Sequence, residues 1–330
     1  MSNNNFGVIV MACYKPREDL LTQQLKSIQN QTHQNFKCIL SSDGDPKLLE
    51  ELVTKICKGD PRFEVIGFKT RLGFPGNFER GLKHLPEKTK WIALSDQDDY
   101  WYPEKLKTLI PYLSKYSLVS GQANVVTSDK STMVGKKSDK TTDRAAVSAR
   151  GLIMQNQITG SFSMLSPEVL DIALPIPKMN DQTVYHDQWL GLCAIALKGI
   201  HIVDIPLQNY VQHSNNFVGE AKNGPIIGFL NTMKKWKNKF PEANNFNLVR
   251  LGLHDLHNSG VGKNMFITKT LQKRLEVKNI EPNQQIRDLF DVYTATKNSK
   301  FIIAKAIINN VQNKETSKQR AVELLVGLPF

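Results

Sequence analysis

The stretch Trp91–Trp101, WIALSDQDDYW, decides how this chain is read. Its apolar start suits a strand covered on both faces, because strands buried between two helical layers lose the in-out alternation of half-exposed ones. The run then ends in Asp96, Asp98 and Asp99. One carboxylate is enough to cap the helix expected from Pro103, and Asp98 or Asp99 would serve there. Three crowded carboxylates repel one another, which weighs against a cap alone. Asp96-Gln97-Asp98 at a strand end offers oxygens to a hard divalent cation, Mg²⁺ or Mn²⁺. Mg²⁺ takes one or two protein carboxylates and completes its shell with phosphate and water.

The flanking sequence repeats the pattern. GVIVMACY, from Gly7, is another continuous apolar run, and REDLLTQQLKSIQNQ places Leu20, Leu21, Leu25 and Ile28 at helical spacing. FKCILSSDGD and RFEVIGF predict strands. PKLLEELVTKICKGD predicts a helix with Pro46 near its start and Gly59 near its end. PGNFERGLKHL, PEKLKTLIPYLSKY (interrupted at Pro111) and QWLGLCAIALKG predict further helices. SLVSGQANVV, QITGSFSMLS and IHIVDIPLQNYVQ predict strands, and the charged span from Thr127 to Arg150 predicts a mobile loop. Alternation at this spacing implies an α/β fold with an open parallel sheet wound by crossovers. Ligands of such sheets collect outside the strand carboxyl ends, where ACYKP, SSDGD and SDQDD fall.

The chain has 330 residues, 40% of them hydrophobic and 22% charged, enough for two medium domains or one large domain with an appendage. The opening MSNNNFGVIVMACY lacks a signal-peptide layout, and no window of about 18 residues stays apolar. Cys13, Cys38, Cys57 and Cys193 form no CxxC pair and read as reduced, buried thiols of a cytoplasmic protein. Of the net charge of +12, residues 1–221 carry +2 and residues 222–330 carry +10. The division expected is therefore 1–219, with halves 1–126 and 127–219, followed by a basic, mostly helical region, 220–330. Its KKWKNKF (Lys234–Phe240) leaves two readings open: a solvated helical face, or docking on an anionic membrane surface. Nucleic acid is not an expected partner, since no recognisable module accompanies the charge.

Taken singly, Asp43 reads as a turn residue, Tyr14 as packing, Asp187 as a helix cap and His213 as a loop histidine. Their joint placement at predicted loop ends weakens those readings. VIVMACYKP, QTHQNFKCILSSDGD, RLGFPGNFERGL, SDQDDYW, ITGSFSML, HDQWLGLCA and PLQNYVQHSNNFVG, in that order, resemble the family 2 inverting glycosyltransferases. The combination of DQDD-aromatic, HD-x-W, and a tyrosine and histidine before two asparagines is similar to the bacterial surface-polysaccharide, rhamnosyltransferase-like branch. The resemblance covers about two thirds of the chain. It departs at SSDGD, which has one Asp where many members have two, and at Val211, where an arginine is common.

The resemblance implies a GT-A, Rossmann-like nucleotide-diphospho-sugar transferase fold. It implies donor-nucleotide contacts at Ala12, Tyr14, Asp43, Arg71, Asn77 and Asp96, with Mn²⁺ or Mg²⁺ held by Asp98, with Asp99 and His213 as further ligands. Asp187 falls where the family places its catalytic base, and Gly160, Ser161, His186 and Trp189 where acceptor or sugar is touched. The expected reaction moves a sugar from dTDP-rhamnose or a UDP-hexose to a saccharide acceptor, free or lipid-linked, of a capsule, O-antigen or cell wall. Two other classes fit the sequence less well. An aspartyl-nucleophile phosphatase needs its Asp pair after the first strand, where this chain has ACYKP. A non-catalytic nucleotide-binding scaffold leaves Asp187 and His213 without a role.

Overall fold

The computed structural model describes residues 5–68, 70–127, 140–144, 146–179, 183–212, 253–254, 256–294 and 299–328, with a few isolated positions between 234 and 242. The described chain forms two compact units. One comprises residues 1–146, 158–176 and 185–218, the other residues 147–157, 177–184 and 219–330.

The first unit is built on a sheet that starts with four parallel strands: β1 (Gly7–Cys13), β2 (Phe36–Ser42), β3 (Phe63–Gly67) and β4 (Trp91–Ser95). Their spatial order is β3-β2-β1-β4. β1 and β4 read as unbroken apolar runs because both faces are covered, and Val8 to Met11 and Trp91 to Leu94 are buried throughout. Between the strands run α1 (Glu18–Gln29), α2 (Pro46–Cys57) and α3 (Gly73–Leu82). In α1 the four apolar positions named from spacing are all buried. Asp45 caps α2 by accepting from the Lys47 N–H at 3.0 Å, with Pro46 in the first turn. α2 ends where Lys58 and Gly59 turn left-handed, at φ 55° and 71°. α3 lies close on β1 because Gly81 has no side chain; a Cβ there would come within 2.4 Å of Val10. Cys13, Cys38 and Cys57 are buried in this core, and Cys193 is buried too.

Beyond β4 the expectation of an all-parallel sheet fails. The order continues through β8 (Ser163–Leu165), β6 (Leu118–Thr127), β9 (Ile200–Gln212) and β5 (Tyr100–Trp101), with β7 (Lys140–Thr141) on β6. β8 runs antiparallel to both β4 and β6, and β5 antiparallel to β9. β8 is reached from β6 by way of residues 127–162 and a short 3-10 turn at Gly160–Phe162, and it returns against its neighbours. α4 (Lys105–Leu109) gives way to a 3-10 turn at Pro111, as expected from the proline. α6 (Glu168–Ala173) and α7 (His186–Ala196) complete the first unit.

In the second unit, α5 (Ala149–Met154) begins within the last two residues of the predicted loop 127–150 and lies in the span expected to be the first domain. It is capped by Ser148, which accepts from the Gly151 N–H at 3.0 Å, and is tied to the helix Gln284–Tyr293 by an Arg150–Asp288 ion pair at 3.3 Å. Further helices span Lys263–Val277, Ser299–Gln312 and Lys318–Val326. Most of the predicted loop, residues 128–139, lies outside the described residues, as does most of 213–252.

Candidate active site

Chain order reverses at β1: the chain steps outward to β2 and β3, then returns to the other side of β1 as β4. Such switch points leave a crevice outside the strand carboxyl ends, because the flanking crossovers diverge. The loop after β1 meets the loop after β4 there. The Gln97 side chain accepts from the Tyr14 N–H at 2.8 Å and donates to the Tyr14 carbonyl at 3.1 Å. The residue between the two carboxylates therefore pins the two loops together.

Asp96 is half-buried, and its carboxyl is pushed up to about 7, chiefly by burial and then by Asp98. The Asp187 charge adds to the effect, so α7 brings Asp187 into electrostatic reach of the β4 loop. The Ser161 hydroxyl and Lys105 act the other way, although no bond of hydrogen-bond geometry joins Ser161 Oγ to Asp96. Asp96 and Asp98 are the described carboxylates best suited to a hard divalent cation: oxygen donors at a strand end, repelling each other. Two carboxylates fit a cation whose remaining shell comes from a diphosphate. Among the described residues no three His, Cys, Asp or Glu side chains converge on one point. His213 lies outside the described residues.

Asp99 is placed differently. It is 1% exposed, and its two oxygens accept from Gln208 Nε2 at 2.9 Å and the Val211 N–H at 3.1 Å. Burial, then Asp96 and Asp98, push its carboxyl well above the ordinary range. It anchors β9 to the DQDD loop. Next to it lies Lys105, fully buried, its Nζ 3.7 Å from the Trp101 ring centroid and donating to the Ser161 carbonyl at 2.7 Å and to Gln208. Burial holds this amine well below its usual pKa. No periodicity distinguishes Lys105 from an ordinary helical lysine, and its partners are 56 and 103 residues away in the chain.

On the other side of β1, the buried Asp43 carboxylate accepts the N–H groups of Leu72 at 2.6 Å and Gly73 at 2.9 Å, where α3 begins. Arg71 lies 3.9 Å from Asp43 and 4.2 Å over the Tyr14 ring. Asn77 is buried; it donates to the Cys13 carbonyl at 3.2 Å and accepts from Arg80 at 2.6 Å. Asn77 thus braces the end of β1, while Ala12 is half-buried on that strand. Arg80, which sequence reasoning did not single out, also bonds Ser41 at 2.9 Å.

α7 carries the rest. Asp187 lies in its first turn, where the helix dipole favours a carboxylate, and accepts from the Gln188 N–H at 2.8 Å. Trp189 is fully buried and its indole donates to the Ala173 carbonyl at 2.8 Å. It packs α7 onto α6 and, contrary to expectation, does not line the site. His186 is buried against Phe78 and Gly160. Arg144, also missed, bonds Thr159, lies 4.5 Å over the Phe162 ring, and has its backbone bracketed by the Gln122 amide at 3.0 and 3.1 Å. Burial lowers its pKa to about 10, and the opposing influence is led by Asp187.

Four parallel strands in the order β3-β2-β1-β4, continued by the mixed pairing of β8, β6, β9 and β5, make a fold of GT-A type. Residues 8–164 match the family model described as Glycosyl transferase family 2. An uncharacterized glycosyltransferase of Haemophilus influenzae is 32% identical over 108 residues, which are 33% of this chain and 33% of that protein. Another, of Methanocaldococcus jannaschii, is 22% identical over 72% of this chain and 81% of its own length. The matched stretch thus spans about a third of the Haemophilus relative's length. Among solved structures, S. aureus TarS 1-349 in complex with UDP-GlcNAc superposes with a TM-score of 0.50 at 12% identity, covering 98% of this chain and 90% of that one, a likeness of fold. Among the described residues no helix is long and apolar enough to cross a membrane.

Proposed function

We propose that this chain transfers a sugar from a nucleoside-diphosphate donor to a saccharide acceptor with inversion. The observation that supports this most is that Asp187, from α7, lies within electrostatic reach of Asp96 in the DQDD loop of β4. This supports a base and a diphosphate site supplied by separate elements. In the reaction, Asp187 takes the proton of the acceptor hydroxyl. The hydroxyl oxygen bonds the anomeric carbon from the face opposite the leaving group. The bond from that carbon to the diphosphate oxygen breaks, its electron pair leaving with the diphosphate. A bound Mn²⁺ or Mg²⁺ would supply charge neutralisation of that leaving group, worth several kcal/mol. Asp98, with Asp96 beside it, would hold it; Asp99, with both oxygens engaged by β9, keeps the loop in place. Asp43, Tyr14 and Arg71 would receive the nucleotide. A positioned carboxylate base contributes about 10²- to 10⁴-fold, so Asp187→Asn should lower kcat by that much in a diphosphate-release assay with nucleotide binding retained. Undiminished kcat in that variant would remove Asp187 from the mechanism.

The donors the resemblance favours are dTDP-rhamnose and UDP-hexoses, and the UDP-GlcNAc bound by TarS adds an N-acetylhexosamine to the panel. Surface-polysaccharide synthesis is the matching role. An anionic membrane surface suits the region from 222 on, with its net charge of +10 and with Phe301 (73% exposed), Ile308, Val322 and Val326 exposed. Flotation of the full chain with anionic but not zwitterionic vesicles is expected, and equal recovery with both would refute it.

A further inference from the structure

We propose that Arg144 is a positioning residue for the base, holding Asp187 in place through the turn at Thr159 and Gly160. The inference rests on the reading of Asp187 as base and adds to it a residue that no sequence pattern marks. Both backbone groups of Arg144 are taken up by one side chain of β6. Its N–H donates to Gln122 Oε1 at 3.1 Å, and its carbonyl accepts from Gln122 Nε2 at 3.0 Å. Gln122 is itself buried, and its Oε1 also accepts from the Thr142 hydroxyl at 2.8 Å. The guanidinium is fixed as well: it donates to Thr159 Oγ1 and lies 4.5 Å over the Phe162 ring. Phe162 in turn meets Tyr210 of β9 edge-on at 5.4 Å. The Thr159 carbonyl accepts from the Phe162 N–H at 3.1 Å and the Ser163 hydroxyl at 2.9 Å, which closes the turn that Arg144 grips.

From the turn, contact passes to the base. Gly160 follows Thr159 and stands so near His186 that a Cβ there would come within 2.7 Å of Nε2. His186 is stacked on its other side by Phe78, centroids 4.1 Å apart, and directly precedes Asp187 at the start of α7. A shift of the turn therefore moves His186, and the Asp187 carboxylate with it. Packing alone does not call for an arginine here. Methionine would cover the Phe162 ring without burying a charge, and a buried charge is costly unless an opposite one offsets it. The leading offset is Asp187, ahead of Tyr210. The guanidinium thus holds the base in two ways, by charge and through the turn. A carboxylate base acts only when an oxygen reaches the proton it takes, and misplacement by about 1 Å costs about 10²-fold.

The test is a double-mutant cycle in the full chain: wild type, Arg144→Met, Asp187→Asn and the two combined, with Mn²⁺ present. The reaction followed is release of nucleoside diphosphate, with water as acceptor, from UDP-GlcNAc, UDP-glucose, dTDP-rhamnose or GDP-mannose, whichever turns over fastest. Calorimetric titration with the matching nucleoside diphosphate runs beside it. Arg144→Met should lower kcat by about 10²-fold with nucleotide affinity unchanged. In the Asp187→Asn background the same substitution should change kcat by less than about 2-fold, because residues that act as a unit are not additive. Wild-type kcat in Arg144→Met would overturn the proposal. So would a repeated full loss in the Asp187→Asn background, which would mean that Arg144 acts without the base. An equal loss of nucleotide affinity would also overturn it and make Arg144 a support of the fold. Wild-type kcat in Asp187→Asn, or a wild type that releases no diphosphate from any donor, would instead overturn the reading beneath it. If Arg144→Met fails to fold, Arg144→Lys, which keeps the charge but loses the planar fork, carries the same comparison.

Discussion

Gln97 separates two carboxylates in sequence and joins two loops in space, so the DQD spacing both presents acid groups and fixes where they stand. Lys105 does a comparable job from beneath, linking the 160 turn to Gln208 and, through it, to Asp99. Lys105→Met keeps the apolar stem on Trp101 but leaves the Ser161 carbonyl and the Gln208 amide oxygen without that donor. At about 1–3 kcal/mol for each buried group left unpaired, urea unfolding should show a loss of about 2–6 kcal/mol; a change below 0.5 kcal/mol, roughly the scale of a surface substitution, would mean the network bears no weight. Gly160→Ala pushes a methyl toward His186 Nε2 and should slow transfer by up to about 10²-fold, as displacements near 1 Å do. Wild-type turnover in that variant would show that the turn tolerates a side chain. Asp96, Asp98 and Asp187 stand out in the sequence because carboxylates at strand and helix ends break the apolar pattern. Trp189, Lys105 and Arg144 could not be read that way. An aromatic beside HD looks the same whether it lines a site or fills a core, and the partners that define a buried Lys or Arg are distant in the chain.

Among the elements, those with a long apolar period were legible. β1 and β4 follow from unbroken apolar runs, α1 from helical spacing, α2 from Pro46 and Gly59 at its ends, and β2 and β3 from short apolar stretches between them. β5 has two residues and exists only because β9 pairs with it, so no period could announce it. α5 was hidden in a charged span, since its single cap, Ser148, carries little weight without an extended apolar face. The parallel half of the sheet was inferred by extension to the whole. β8 breaks that rule because pairing direction depends on the route back to the sheet, which strand-like composition does not encode. The turn before β3 carries a pH dependence of its own. Arg62 pairs with Asp60 at 2.6 Å and, by hydrogen bonding, holds that carboxyl below its ordinary 3.8. A depressed carboxyl stabilises the fold above its unfolded pKa and loses that effect as pH falls. Asp60→Asn should therefore cost about 1.5–3 kcal/mol at pH 7, with the gap to wild type narrowing below about pH 4. A gap that stays constant down to pH 2 would contradict the pairing.

For the molecule as a whole, the charge changes near residue 219, with +2 carried by residues 1–221 and +10 by residues 222–330. The second compact unit also takes in residues 147–157 and 177–184, which no composition shift marks. The central claim is that Asp96 and Asp98 serve a cation-bound diphosphate while Asp187 serves the acceptor. Its most direct measurement is calorimetric titration of wild type, Asp98→Ala and Asp187→Asn with UDP, dTDP and GDP, in Mn²⁺ and again in EDTA. The account predicts tight binding of one nucleotide by wild type that collapses in EDTA, the same binding by Asp187→Asn, and only the EDTA-like residue by Asp98→Ala. Nucleotide affinity indifferent to EDTA and to Asp98→Ala, or lost equally in Asp187→Asn, would contradict it.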